Sequence, residues 1–207
     1  AFEALEAARR VLRSYGALGT RQGAELMERI GDLLLETGDV DGALTEFEAA
    51  RNALKVAGSL SSAEGAELHV KAGVAFTEAE DHEAALEAYE AARKILEVED
   101  MIESDLGASV LANIGIAHAK QGKKQEALAG LEAARSILAD AGTLQSEEGA
   151  RLLANLGIVQ SELGQEQEAK ASYDAARRIL AEDDGEVATY TAVGGGVEAR
   201  AIGEKLL

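Results

Sequence analysis

The chain has 207 residues, no cysteine, no proline and a formal charge of −18 from 20 basic and 38 acidic residues. The lack of cysteine excludes disulfides, thiolate metal sites and a thiol nucleophile, and the negative charge disfavours nucleic acid and anionic lipid surfaces as partners. Because no apolar run approaches the roughly 18–20 residues that span a bilayer, we expect no transmembrane segment. We expect a soluble protein of the cytoplasm or an organelle interior. The start at Ala1 leaves room for a removed targeting segment.

One seven-residue helical pattern occurs five times at a constant interval of 42 residues. Its copies are EAARRVL from Glu6, EAARNAL from Glu48, EAARKIL from Glu90, EAARSIL from Glu132 and DAARRIL from Asp174. A fixed interval of this size predicts stacked structural repeats, each of which buries its apolar face against its neighbours. We use the word column for the residues at equivalent positions in successive copies.

The copies divide the chain into three parts. Residues 1–14 hold only the second helix of an incomplete repeat. Four complete repeats span 21–182, at about 21–58, 63–100, 105–142 and 147–184. The interval then breaks, and we predict a glycine-rich linker and a partial terminal helix over 185–207. Neither end carries a polar cap, which indicates either a piece of a longer repeat array or an end that another subunit covers.

Each complete repeat is predicted to form two helices joined by a short turn. A hydroxyl residue that can cap the first helix recurs at Thr20, Ser62, Ser104 and Ser146. The turn, about 17 residues later, carries Gly38, Gly122 and Gly164 in three copies and Glu80 in the other. The second helix alternates small and large residues, as in Ala43, Phe47 and Ala50. Such alternation allows two helices to approach closely.

The string GDLLLETGDVDGALTEFEAA of the first complete copy resembles a tetratricopeptide repeat. The other copies match the same motif in GVAFTEAEDHEAALEAYEAA, GIAHAKQGKKQEALAGLEAA and GIVQSELGQEQEAKASYDAA. They depart from it at Glu80, at Leu131 in place of the aromatic residue, and in lacking a proline after the second helix. The interval exceeds the family's usual length of about 34 residues and is similar to that of kinesin light chain and Pins-type adaptors. The resemblance implies an all-α, right-handed superhelical solenoid that acts as a protein-binding scaffold.

The sequence contains no group of residues that is suited to catalysis or to metal binding. The three histidines lack the i, i+4 spacing with a carboxylate that a metal site would need. We interpret His69 and His118 as packing residues and His82 as a surface residue near a helix start. The repeated arginines, such as Arg51 three residues after Glu48, predict ion pairs on a helix surface. We therefore expect no enzymatic activity, no catalytic residue, no metal and no cofactor.

The resemblance further implies that the first helices line a concave groove, which we expect to bind a partner. The residues expected to face it are Glu28, Asp32, Glu36, Val70, Val74, Thr77, Asn113, Ile116, Asn155 and Ile158. This set is acidic in the first repeat and small or apolar in the third and fourth. It favours an apolar or amphipathic peptide or helix with a basic end. The two asparagines fit a peptide-binding role and a structural role equally well. The alternative function is a structural subunit of a larger assembly, membrane-associated complexes included, that docks by its ends or convex face.

Overall fold

The computed structural model of the chain describes residues 2–183, which contain α-helices and no strand. The helices of this range are α1 (Phe2–Ser14), α2 (Arg21–Glu36), α3 (Val40–Val56), α4 (Ala63–Glu78), α5 (His82–Val98), α6 (Asp105–Lys120), α7 (Lys124–Asp140), α8 (Glu147–Glu162) and α9 (Glu166–Asp183). The predicted all-α class is confirmed. The linker and partial helix predicted over 185–207 lie outside the described residues.

The chain divides into two compact units, residues 1–102 and 103–207. In the first unit α1 packs on α2, and two hairpins follow, formed by α2 with α3 and by α4 with α5. Helix α3 also packs on α4, so the two hairpins share a core. In the second unit α6 pairs with α7 and α8 with α9, and α7 packs on α8. Each hairpin therefore buries its apolar face against the next one within its unit.

The first helix of each repeat begins at the hydroxyl residue that the sequence indicates. Thr20, Ser104 and Ser146 accept hydrogen bonds from the backbone N–H of the glycine three residues later, at 3.1–3.2 Å. These bonds satisfy one of the amides that a helix start leaves without an intrahelical partner. Ser62 differs, because it occupies the same position without such a bond and its hydroxyl donates to the Ser59 carbonyl at 2.7 Å. The prediction that the Ser62 hydroxyl caps its helix is therefore wrong.

The turn inside each hairpin requires a residue with positive φ. Gly38, Gly122 and Gly164 occupy this place with φ between 75° and 82°. Glu80 takes the same conformation at φ 59°, although a side chain there costs about 1–2 kcal/mol. The surrounding hairpin holds it in place, since the Asp81 carboxylate accepts the Ala84 N–H at 3.0 Å and starts α5. The departure at Glu80 thus leaves the turn geometry intact.

Close packing inside each hairpin rests on a glycine that faces a large side chain. A Cβ added at Gly31 would overlap the ring of Phe47, and one added at Gly73 would overlap the ring of Tyr89. The alanines that flank these rings are fully buried, as at Ala92. The small and large alternation therefore has the packing role that the sequence predicts. It places the first helices in a fixed position relative to the second helices, which sets the surface described next.

Candidate functional site

The predicted acidic residues of the first unit are held by a lysine from the following repeat. Lys71 Nζ, on α4, lies 2.6 Å from Glu28 Oε1 and 2.7 Å from Asp32 Oδ2 on α2. Two carboxylates therefore share one ammonium group, and a net charge of −1 remains on the trio. Glu36, one turn after Asp32, is exposed at the end of the same helix.

The charge state of this cluster follows from its contacts. Partial burial lowers the pKa of Lys71, but its hydrogen bonds to Asp32 and Glu28 outweigh burial and leave the pKa above its ordinary value. Lys71 is consequently protonated throughout the neutral range. Lys71 is not among the residues expected from sequence to face the groove, although it stands in the column of Asn113 and Asn155, which are.

The apolar residues predicted in the first unit adjoin this cluster on α4. Val70 and Val74 are half-buried and lie on the turns that flank Lys71. Thr77 is also half-buried, but its hydroxyl donates to the Gly73 carbonyl at 2.9 Å and lies 3.2 Å from the Tyr89 hydroxyl. Thr77 therefore connects the two helices of its own hairpin, and its hydroxyl is engaged there.

In the second unit, three predicted residues gather around one cavity. Ile116 on α6, and Asn155 and Ile158 on α8, line a cavity of about 120 Å³. Its remaining wall is formed by residues outside the set expected from sequence: Ala119, Lys120, Leu131, Val159 and Glu162. The cavity is thus apolar at its base, with one amide and two opposite charges in its lining. Asn113 is half-buried on α6 and does not line it.

The predicted site residues therefore form two sets, one in each unit. The first unit holds a charged set (Glu28, Asp32 and Lys71) beside two valines. The second unit holds an apolar set (Ile116, Asn155 and Ile158) around a cavity. Glu36 and Asn113 contribute no contact to either centre.

The repeated arginines form the ion pairs that their spacing predicts. Arg51 lies 2.7 Å from Glu48, and Arg93 lies 2.7 Å from Glu90, each pair on one helix. Arg9 pairs in the same way with Glu6 at 3.2 Å, and it also bonds Glu46 on α3. This second bond joins two neighbouring repeats and was not anticipated.

The histidines have separate surroundings. His69 is half-buried on α4, and burial together with the charge of Arg51 lowers its pKa. The Nδ1 atom of His118 is buried without a hydrogen-bond partner, and His82 begins α5. Across residues 2–183, no three carboxylates or imidazoles are grouped to hold a metal ion. Over the same span no helix has both the length and the apolar character to cross a membrane.

Comparison with known proteins agrees with this geometry. Residues 150–178, which cover most of α8 and the first part of α9, match the tetratricopeptide repeat family. The chain therefore contains a segment that matches the tetratricopeptide repeat in its second unit. No curated protein sequence matches it significantly. The resemblance drawn from the repeated motif is therefore confirmed.

Solved structures share the fold at low sequence identity. BtubC (BKLC) from P. vanneervenii is 23% identical, with a TM-score of 0.71 over 84% of this chain and 69% of its own. MamA is 17% identical, with a TM-score of 0.63 over 89% and 92%. A putative kinesin light chain repeat protein from Podospora anserina is 16% identical, with a TM-score of 0.60 over 89% and 96%. These likenesses show an all-α helical repeat solenoid, and with the family match they support a protein-interaction scaffold. Scaffolds of this fold are generally non-enzymatic.

Proposed function

We propose that the protein binds a partner peptide or helix on the surface formed by its first helices. The observation that carries this proposal is the cavity around Ile116, Asn155 and Ile158. Its volume of about 120 Å³ is smaller than the roughly 300 Å³ of a typical small-molecule pocket. It suits one aliphatic side chain of a partner, and the Asn155 amide beside it can bond the partner's backbone.

The charged set of the first unit changes the kind of ligand that we expect from the sequence. Lys71 neutralises one of the two charges of Glu28 and Asp32, so a basic end of the partner meets a net charge of −1 at these residues. Attraction between partly exposed groups is weak and screened by salt. The basic end therefore contributes to orientation and association rate, and the apolar side chain contributes most of the affinity.

The experiment begins with a partner recovered by native affinity purification, whose binding is then measured with purified proteins. Ile116→Asp places a charge at the cavity and should weaken binding by about tenfold or more, which corresponds to about 1.4 kcal/mol. Ala133→Asp adds the same charge at an exposed position of α7 and should leave binding unchanged. Equal affinity of both variants would contradict binding at this cavity.

A second candidate function is favoured by the surface of α1. This helix contains no buried residue and exposes Val11 to 54%, and Tyr15, which directly follows the helix, is exposed to 81%. Exposed apolar residues on one helix face favour docking against another subunit or against further repeats of a longer chain. Val11→Asp should then release the assembly in size-exclusion chromatography, whereas Ile116→Asp should leave it intact. The reverse pattern would favour the peptide-binding function.

A further inference from the structure

The first unit contains a larger cavity, of about 370 Å³, formed by α3, α4 and α5. We name it the His69 pocket. His69, Ala72 and Phe76 on α4 line it together with Phe47 and Arg51 on α3. Its lining includes none of the residues predicted to bind a partner peptide. Its volume falls within the range of small-molecule sites, about 300–1,000 Å³.

The pocket is present where the second repeat departs from the apolar pattern of the other three. The column of Ala72 holds Ile30, Ile114 and Leu156, all of them buried. The column of His69 holds Met27, Leu111 and Leu153. In the second unit, Leu153 and Leu156 are buried at the equivalent place. The second repeat therefore has an imidazole and a methyl group where its neighbours have large aliphatic side chains.

The junction also lacks the carboxylate that Glu46 provides in the preceding repeat, as do the later repeats with Gly130 and Ser172. Arg9 on α1 bonds Glu46 on α3 as well as Glu6 on its own helix. Arg51 is the equivalent arginine of the next repeat, but the column of Glu46 holds Ala88 there. Ala88 lines the His69 pocket. Arg51 thus has its intrahelical partner Glu48 at 2.7 Å and lacks the carboxylate that Arg9 receives from the neighbouring second helix.

Arg51 is the cationic side chain in the lining that an anionic group would meet. Glu48 and Glu87 also line it, but both are exposed, and Glu48 is already paired with Arg51. The pKa of His69 is lowered by burial and by the charge of Arg51, with no opposing effect from either carboxylate. Arg51 is thus the charged lining residue that acts on the imidazole. A neutral imidazole also provides one N–H donor to a bound oxygen.

We propose that the His69 pocket binds a small amphipathic carboxylic acid, such as a medium-chain fatty acid or an arylalkyl acid. Its carboxylate takes the place that Glu46 has beside Arg9 and bonds Arg51 and His69. Its apolar tail fills the space beside Ala72, against Phe47 and Phe76. The ligand thereby supplies the two groups that the second repeat lacks relative to the first, a carboxylate and a large apolar side chain.

The test uses 4-phenylbutyrate and octanoate as probes of the purified protein, followed by isothermal titration calorimetry and by NMR of the histidine ring signals. We expect saturable binding at a single site with a shift of the His69 signals. The uncharged 4-phenylbutyramide should bind at least about tenfold more weakly. Absence of saturable binding by both acids up to their solubility limits would overturn the proposal, and equal binding of the amide would overturn the role of the carboxylate.

Two variants introduce the residues that the first repeat has in the same columns, Ile30 for Ala72 and Glu46 for Ala88. Ala72→Ile refills the pocket and Ala88→Glu returns a carboxylate to Arg51, and each should weaken the probes at least about tenfold. Ile116→Asp, in the other unit, should leave probe binding unchanged, which separates this proposal from peptide binding at the apolar set. Undiminished binding to both restored variants would place the probes elsewhere and overturn the proposal. If Ala72→Ile fails to fold by circular dichroism, Ala88→Glu and the amide still decide the outcome.

Discussion

Lys71 Nζ lies 2.7 Å from Asp32 Oδ2 and thereby joins the first helices of two successive repeats. The same ammonium group bonds Glu28 at 2.6 Å, so one side chain links α4 to two turns of α2. This link lies on the surface where a partner is proposed to bind. It therefore connects the stability of the repeat stack with the charge that a partner meets.

Replacement of Lys71 by methionine tests the structural part of this link. The Lys71 side chain is 34% exposed, so solvent reduces the contribution of the ion pairs, and we expect a loss of only about 0.5–1 kcal/mol in unfolding free energy. Urea denaturation at low and at high salt measures it, and the loss should shrink at high salt. Arg29→Met, which removes the more exposed pair with Glu25, is the control and should lose less. A larger loss for Arg29→Met would contradict the bridging role of Lys71.

A second prediction concerns the alanines of the second helices. Ala92 and Ala134 are fully buried, so replacement of either by leucine should lower the unfolding free energy by about 1–3 kcal/mol through overpacking. Thermal or urea denaturation measures the change. Ala133 lies next to Ala134 on α7 and is exposed. The unfolding free energy of Ala133→Leu should therefore stay within about 0.5 kcal/mol of that of the wild type. Unchanged stability of both buried variants would show that the hairpins pack less closely than the structure indicates.

The repeat hairpins were predictable because their determinants lie close together in sequence and recur four times. Capping residues, the positive-φ turn and the alternation of small and large residues each occur within a few residues of the structure that they form. Lys71 was not predicted, because its partners Glu28 and Asp32 lie about 40 residues earlier and become neighbours only when α4 packs beside α2. Interactions between repeats depend on which columns face one another across two helices. The repeat motif defines a single hairpin and does not specify which columns of neighbouring repeats face one another.

The His69 pocket likewise depends on which columns face one another, although its unusual residues are visible in the sequence. His69 and Ala72 are each visible as exceptions in their columns, and the sequence alone predicts a packing role for His69. The two exceptions acquire a common meaning only because α3, α4 and α5 place them around one cavity. By contrast, Ile116, Asn155 and Ile158 were selected from columns, and the structure brings them together. Their binding role stays a prediction.

A third prediction uses the lowered pKa of His69. In the unfolded chain this histidine takes up a proton as pH falls through its ordinary pKa of 6.5, whereas the folded protein resists protonation because of burial and Arg51. The unfolded state therefore binds more protons in this window. The stability contribution is fully present above pH 6.5 and is lost as pH falls from there toward the lowered pKa of the folded state.

Urea denaturation of the wild type and of His69→Leu, between about pH 7.5 and about pH 5.5, measures this contribution. Leucine is the residue of the same column at Leu111 and Leu153, so the variant should remain folded. The wild type should lose more stability on acidification than the variant, while His82, His118 and the carboxylates are common to both. Identical pH dependence of the two proteins would contradict the environment assigned to His69.

The last prediction tests the charged set of the first unit and the apolar set of the second unit separately, by kinetics. Charges at a partly exposed surface mainly affect association, whereas a buried apolar contact mainly slows dissociation. Replacing Lys71 by methionine leaves the carboxylates of Glu28 and Asp32 unneutralised, so a partner with a basic end should associate faster. Asp32→Asn instead removes a negative charge from the same residues and should slow association. Both effects should diminish as salt is added, since the groups involved are screened by solvent ions.

Ile116→Asp should instead raise the dissociation rate, because a large aliphatic contact is worth about 1.5–3 kcal/mol when fully buried. Surface plasmon resonance with the purified partner measures both rate constants, and Ala133→Asp serves as the control for added charge in the second unit. If Lys71→Met and Asp32→Asn change the association rate in the same direction, the association of the partner does not depend on the charge of Glu28, Asp32 and Lys71. If Ile116→Asp leaves the dissociation rate unaltered as well, binding by the first-helix surface fails. Docking through α1 then becomes the better account of the protein, because this helix has no buried residue and exposes Val11.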